Sequence, residues 1–516
     1  MLQSYLSGQW RTQDDDGRPL RDAATGDEVA RISDEGADYA AALDYARTVG
    51  GPALREVGFP DRAGMLKALG KHLTEHLPEF HDLSLRTGAT PRDGRVDVDG
   101  GISVLFVYAG KGGKELPGGN VLLDGDAEPV GKQGTFGVQH VHTPIPGAAV
   151  QINAFNFPVW GMLEKLAPAL LAGVPSLVKP AGQTAYLTEL VFRRIIESGI
   201  LPEGAVQLAC ARPDGLLDAL TGADLLSVTG SAATATALRT HPAVAGNAVR
   251  FTAEADSLNC SILGPDAVAG TEEFDLFVKQ LVTEMTVKAG QKCTAIRRAF
   301  VPEALLDDVE AAVAERLAKV TVGHPAAQDV RMGALVSLAQ RDDVLAQLRK
   351  LTSAARLVHG DPERFAVVEA DADRGAFLPP LLLRCDDPDR AEPHEVEAFG
   401  PVSTLLPYRD AGEAVRYAAR GAGSLVGSVV SADRDFTREV LLGAAPWHGR
   451  LLALDRTDAA ESTGHGSPLP HTIHGGPGRA GGGEELGGLR GVRHHMQRTA
   501  IQGHPDLLAG LTEGQS

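Results

Sequence analysis

The chain has 516 residues, 43% apolar and 22% charged, the balance of an ordinary folded protein with room for two or three domains. Its net charge of −18 argues against a general nucleic-acid binder, which presents a basic face, but leaves room for a local basic pocket. No apolar run approaches the roughly 20 residues that span a bilayer. Residues 1–6 lack the basic start and apolar core of a signal peptide, so a soluble, cytoplasmic protein with no membrane partner is expected. Cys210, Cys260, Cys293 and Cys385 form no CxxC pair and no close Cys/His spacing. Neither a disulfide framework nor a metal site is expected.

Residues 37–90 read as helical, with Asp61 placed to cap a helix whose Leu66, Leu69, Leu73 and Leu77 form one apolar stripe. From 112 to 147 Gly and Pro rise, and Gly137-Val138-Gln139-His140-Val141-His142 suits paired strands. From 148 the pattern becomes strand, helix, strand. Strand candidates cover 148–152, 175–178, 205–209, 225–228 and 249–254, the last ending in Glu254. Helices fit 163–171 and the Leu187, Leu190, Val191, Ile195 stripe closed by Gly199. Such alternation implies an α/β fold with a doubly wound parallel sheet, whose ligands bind outside the carboxyl ends of the strands. There is no GxGxxG, so a conventional Rossmann phosphate turn is not expected. A second α/β unit follows, with strands around 381–383 and 425–430. Residues 462–491 are rich in Gly and His, including His471, His474, Arg479 and Arg490; low-complexity linker is one reading.

Phe274, Val278, Leu281 and Met285 recur at helical spacing, and Gly290 is a natural stop for that helix. Cys293 then falls on a turn. Free cysteines are most often small buried hydrophobes, yet a thiolate on a turn is also the best nucleophile a protein offers near neutral pH. Cys260 competes for that role, but it follows a strand candidate and has no comparable prelude, so packing is the preferred reading. Asn156, before Phe157-Pro158, reads alone as a turn-stabilising amide. Glu254 and Glu397 read alone as solvated acids, and Lys179 as a charge closing a strand.

Gly290-Gln291-Lys292-Cys293-Thr294-Ala295 resembles the nucleophile motif of the aldehyde dehydrogenase superfamily, and further signatures stand in the family's order. Phe155-Asn156-Phe157-Pro158 resembles its oxyanion segment, and Val178-Lys179-Pro180-Ala181 its cofactor strand end. Val228-Thr229-Gly230-Ser231 resembles its nicotinamide turn, Glu254 its general base, and Glu397-Ala398-Phe399-Gly400-Pro401 its ribose contact. The resemblance implies a dinucleotide-binding domain over 1–125 and 146–257 and a catalytic domain over 258–475. It also implies a β oligomerisation arm over 126–145 and 485–510, serving a homodimer or dimer of dimers. By the same resemblance Cys293 attacks the aldehyde and Asn156 steadies the oxyanion. Glu254 activates the water that hydrolyses the thioester, and Lys179, Gly182, Thr229, Gly230, Ser231, Glu397 and Phe399 hold the cofactor.

Glu254-Ala255-Asp256-Ser257, Ser462-Thr463-Gly464-His465-Gly466-Ser467 and His474-Gly475-Gly476-Pro477-Gly478-Arg479 resemble the aldehyde dehydrogenases of CoA-linked aromatic degradation. That implies a small-molecule aldehyde carried on CoA, such as 3,4-dehydroadipyl-CoA semialdehyde, oxidised to the acid. Arg479, Arg490 and Arg493 are candidate cations for the CoA phosphates, with solvated surface charge as the plainer role. NADP is the expected cofactor, with NAD as the second. NAD-preferring members commonly place a glutamate three residues after the strand-end lysine, where this chain has Gly182. Two rivals stay open at this stage: a CoA-acylating dehydrogenase, and a non-catalytic dinucleotide-binding oligomer.

Overall fold

The apolar runs after residue 148 assemble, in a computed structural model that describes residues 1–512, into the parallel part of a seven-stranded sheet. Its order is Arg250–Glu254, Leu225–Thr229, Ala149–Ile152, Ser176–Lys179, Val206–Leu208, then the antiparallel Ser4–Leu6 and Gln9–Arg11. Chain order reverses between Ala149–Ile152 and Leu225–Thr229, which pair with Ala149 opposite Leu225 and Ile152 opposite Val228. The crevice at such a reversal is where doubly wound sheets take their ligands. Lys179, Thr229 and Glu254 are each the last residue of a strand at that edge.

A second seven-stranded sheet runs Arg356–His359, Leu381–Arg384, Val402–Tyr408, Arg298–Pro302, Cys260–Leu263, Ser424–Val430, His448–Leu454. Only the outer Arg356–His359 is antiparallel to its neighbour. Helix Glu272–Thr286 lies on it, capped by Thr271 and carrying Glu272, Glu273 and Asp275 in its first turn, where carboxylates favour the helix dipole. Its Phe274, Val278, Leu281 and Met285 are buried against Leu263 and Val301. A third, antiparallel sheet joins Gly137–Pro144 to Met496–Gly503, with Leu122–Leu123 and Glu128–Pro129 on its other edge.

Three local expectations need correction. The helix of the leucine stripe begins at Phe59, with Gly58 as N-cap and Pro60 in the first turn. Asp61 sits inside that turn and makes no capping bond, and Leu77 already opens the next helix, Leu77–Ser84. Cys260 follows strand Arg250–Glu254, as expected, and itself opens strand Cys260–Leu263.

The third correction is larger: residues 112–115 belong to helix Pro91–Glu115, which runs through Gly94, Gly100, Gly101, Gly110, Gly112 and Gly113. Each glycine costs about 1 kcal/mol of helix propensity against alanine, so the pattern conceals the helix. A Thr90–Asp93 capping box starts it. Close packing accounts for some of the glycines: a Cβ on Gly101 would stand 2.8 Å from the Trp160 Cα, and one on Gly112 2.7 Å from Leu171. Glycine there is a condition of contact between helices. Gly110 is exposed and meets nothing within 4 Å. Gly110→Ala should therefore raise unfolding stability by about 0.5–1 kcal/mol. Gly101→Ala should lose about 1–3 kcal/mol to overpacking against backbone, outweighing the propensity gain. Denaturant unfolding of the two variants checks this; equal midpoints would remove the packing explanation.

Candidate active site

The helix before the cysteine ends at Thr286, four residues ahead of Gly290. Lys288, Ala289 and Gly290 then take φ of 53°, 50° and 68°, so the stop is a left-handed stretch and not a single glycine cap. Two non-glycine residues in that region cost roughly 1–2 kcal/mol each, which the surroundings must over-determine. Arg297 does so by donating to the carbonyls of Gly290, Lys292 and Gly400 at 2.9, 3.2 and 2.8 Å. Lys292 donates to both oxygens of buried Glu284 at 2.8 and 2.7 Å. Asn259 donates to the carbonyls of Cys293 and Ala295 at 2.7 and 3.0 Å. Cys293 thus sits on a braced turn.

That turn opens onto a cavity of about 370 Å³ lined also by Asn156, Thr229 and Glu254. Asn156 arrives just past strand Ala149–Ile152 and donates one amide hydrogen to the Gln291 carbonyl at 3.1 Å; its amide has a second hydrogen to offer. Four further residues share the cavity or its wall. Glu164 and Lys165 lie on helix Trp160–Ala172, and His474 and Glu485 come from the Gly/His-rich run. His474 Nδ1 is 3.1 Å from Glu164 Oε2, and its Nε2 is 3.4 Å from Glu254 Oε1 and 3.7 Å from Cys293 Sγ. Lys165 Nζ stands 3.3 Å from Glu164 and 3.2 Å from Glu485. The run expected as a linker is a packed wall of the site.

The titration of these groups follows from burial and charge pairing. Burial alone would raise Glu254, but His474 and Lys165 hold its carboxyl well below the usual carboxylate range. Glu164 is lowered against burial by the same two cations. Burial would lower His474, but Glu254 and Glu164 lift it well above an ordinary histidine. Glu485 carries the residual burden: burial pushes it up to about 8. Glu164 and Glu254 are thus held toward their ionised forms by two cations, and Glu485 is shifted toward its protonated one. Burial and the nearby Glu254 push the Cys293 thiol up to about 12, with His474 pulling the other way.

Of the cofactor residues expected from sequence, Thr229 lines this cavity, and its hydroxyl donates to Glu485 at 3.4 Å. Gly230 has open space where a Cβ would be, and its N–H donates to the Glu254 carbonyl at 3.1 Å. Ser231 caps helix Ala232–Arg239. Lys179 donates to the Pro180 carbonyl at 2.9 Å and is buried. A Cβ on Gly182 would collide with the Arg18 guanidinium. Glu397 accepts from the Ser257 N–H at 3.1 Å and lies 3.6 Å from Arg297, while burial pushes its carboxyl up to about 7. Its Oε1 is the oxygen that faces Arg297 Nε, beyond hydrogen-bond distance. Phe399 meets Phe155 edge-on at 6.0 Å beneath Arg297.

The remaining candidates lie elsewhere. Cys260 is buried with Sγ 3.5 Å from His448 Nε2, and burial pushes its thiol up to about 11. Arg479 donates to the Glu395 carbonyl and Arg493 pairs with Asp124 at 3.9 Å. Neither these nor Arg490 lines the cavity, whose exposed rim cations are Arg92 and Lys279.

A cysteine, a carboxylate and an amide around one crevice invite comparison with known proteins. A sequence model of the aldehyde dehydrogenase family matches residues 10–443. The chain belongs to the aldehyde dehydrogenase family. It is 46% identical over 478 residues, 92% of the chain and 93% of the relative, to 3,4-dehydroadipyl-CoA semialdehyde dehydrogenase of Aromatoleum evansii. It is 29% identical to 3-succinoylsemialdehyde-pyridine dehydrogenase of a Pseudomonas species, over 66% of the chain and 69% of that protein. The fold matches betaine aldehyde dehydrogenase of Staphylococcus aureus, solved with NAD⁺, at a TM-score of 0.83 and 23% identity, covering 97% and 94% of the two chains. The chain is accordingly an aldehyde dehydrogenase of a family that uses NAD(P), acting on a small-molecule aldehyde. Among the described residues, no helix is long and apolar enough to cross a membrane.

The buried Lys292–Glu284 pair behind the nucleophile turn gives a test of the bracing. Lys292→Met should cost about 3–5 kcal/mol of stability by stranding Glu284, and Lys292→Met with Glu284→Leu should recover most of it. A double variant as unstable as the single one would assign the loss to packing instead.

Proposed function

We propose that this aldehyde dehydrogenase oxidises a CoA-linked semialdehyde, such as 3,4-dehydroadipyl-CoA semialdehyde, to the carboxylic acid with NADP⁺, through a thioester on Cys293 that water hydrolyses. The observation that carries the reading is the placement of Cys293, Asn156 and Glu254 around one cavity. The Cys293 sulfur attacks the aldehyde carbon, and the oxyanion meets the free Asn156 amide hydrogen and the Cys293 N–H. The nicotinamide, when bound, accepts the hydride that turns the adduct into a thioester. Glu254 then takes a proton from the attacking water. Its carboxyl is held ionised by His474 and Lys165, the protonation state from which a base starts.

Lys179, Gly182, Thr229, Gly230, Ser231, Glu397 and Phe399 would hold the dinucleotide. The cofactor preference is supported at Gly182, which a glutamate would replace with a charge repelling a 2′-phosphate. Arg18 lies over that position, and its ion pair with Asp34 is half-exposed at 3.3 Å, so it is free to turn with Lys179 toward a phosphate. The CoA linkage is supported by the activity named for the Aromatoleum relative and by Arg92 and Lys279 at the mouth. Leu123, Val130, Phe136 and Leu507 are exposed apolar residues on or beside the antiparallel sheet, which favours its burial against a second copy in a homodimer or dimer of dimers. The cytoplasm is its proposed location.

Glu254→Gln should give one burst of NADPH per active site and then almost no turnover, a loss of roughly 10²–10⁴ in the steady state. Unchanged turnover would move Glu254 to a structural role and favour the acylating rival. Cys293→Ala should abolish oxidation while binding NADP⁺. Gly182→Glu should weaken NADP⁺ relative to NAD⁺ by about 1–3 kcal/mol in kcat/KM; an unchanged ratio would refute Gly182 as the discriminating position.

A further inference from the structure

His474 is not accounted for by the reaction above. It sits in a stretch without helix or strand, yet it is 6% exposed and both ring nitrogens face charged or reacting atoms. Glu164 Oε2 at 3.1 Å from Nδ1 can only accept when ionised, so Nδ1 carries a hydrogen. On the other side Nε2 points between Cys293 Sγ at 3.7 Å and Glu254 Oε1 at 3.4 Å. Nucleophile, imidazole and carboxylate therefore stand in line, the connectivity by which proteins activate weak nucleophiles.

The chain fixes the ring in place with care. The His474 carbonyl accepts from the Glu485 N–H at 3.1 Å. A Cβ on Gly475 would collide with the Gly483 carbonyl, and one on Gly483 with that of Ala253, the residue before Glu254. The glycines of this segment thus let its two limbs close on each other and on the base strand. The other ionisable groups around the pair are Glu164 and Lys165 of helix Trp160–Ala172, Glu254, Glu485, and Lys292 with Glu284 behind the turn. Arg297, Arg450 and the buried, neutral His465 stand further out.

We propose that His474 is a catalytic residue that activates Cys293, its imidazolium pairing with the thiolate while Glu164 holds the ring. In this step the Cys293 S–H bond breaks and its proton leaves to water through the cavity mouth. The sulfur keeps the electron pair, and no group is oxidised or reduced. The charges of Glu254 and Glu164 keep the ring protonated before substrate arrives, so the cation is in place when the thiolate forms. The inference rests on Cys293 being the nucleophile of the proposed reaction, but it does not depend on the substrate, on the cofactor preference or on Glu254 activating water.

The test is the pH profile of iodoacetamide alkylation of the intact enzyme, without cofactor or substrate, with Cys293→Ser identifying the labelled thiol. His474→Gln should shift the profile upward, slowing alkylation at neutral pH by roughly tenfold for each unit the thiol rises. Glu164→Gln should shift it in the same direction and less, because the ring stays but its anchor loses its charge. Near-UV circular dichroism shows whether each variant is folded, and Glu164→Gln decides alone if His474→Gln is not. Profiles superimposable on wild type, in a folded variant, would overturn the proposal. So would labelling that survives Cys293→Ser. Failure of the proposed function would look different: turnover that persists in Cys293→Ala, whatever the alkylation profile.

Discussion

Three carboxyl groups and two cations are packed into one dry wall behind Cys293. A lone buried charge costs several kcal/mol, and removing one partner of a buried pair strands the other. Glu164, Glu254, Glu485, Lys165 and His474 are therefore held as a set, and the set holds together parts of the chain that sequence keeps far apart. Its product is a buried Glu254 carboxyl held in its ionised form. Of the three carboxyls Glu485 is the one pushed upward, to about 8, burial outweighing the nearby Lys165.

The two sheets divide the work. The first delivers Lys179, Thr229 and Glu254 at its strand ends. The second carries the braced turn of Cys293, and Asn259, beside the start of its strand Cys260–Leu263, supports that turn. Arg297 couples the halves of the chemistry: it donates to the carbonyls of the strained turn and lies 3.6 Å from Glu397. A change at Glu397 would thus be felt at the nucleophile loop through a single guanidinium, without any movement of the sheets.

Cys293, Asn156 and Glu254 were singled out because each stands in a short motif that resembles the family's; read alone, Asn156 was a turn amide and Glu254 a solvated acid, and it is the fold that brings the three to one cavity. The five parallel strands of the first sheet, and Leu381–Arg384 and Ser424–Val430 of the second, were legible as short apolar runs with punctuation; the antiparallel Ser4–Leu6 and Gln9–Arg11 and the other strands of the second sheet were not. His474 and Glu485 were not, since their meaning comes from partners such as Glu164, which is 310 residues away from His474. One weak signal existed: the adjacent charges Glu164 and Lys165 interrupt an otherwise apolar helix, and both are buried. Helix Pro91–Glu115 was hidden by its glycines, which lower propensity while permitting the contacts with Trp160 and Leu171 that stabilise it. The same double meaning concealed the Gly/His run, where small residues signal close packing as readily as a linker.

The central claim is that Cys293 carries the acyl group and that water, activated by Glu254, removes it. Acid-quenching the Glu254→Gln enzyme with a CoA-linked semialdehyde and NADP⁺, then mapping its peptides by mass, tests this directly. The account predicts one acyl group per subunit, on Cys293, accumulating in step with NADPH and not discharged by added CoA. An unmodified Cys293, an adduct on Cys260, or rapid transfer of the acyl group to free CoA would contradict it.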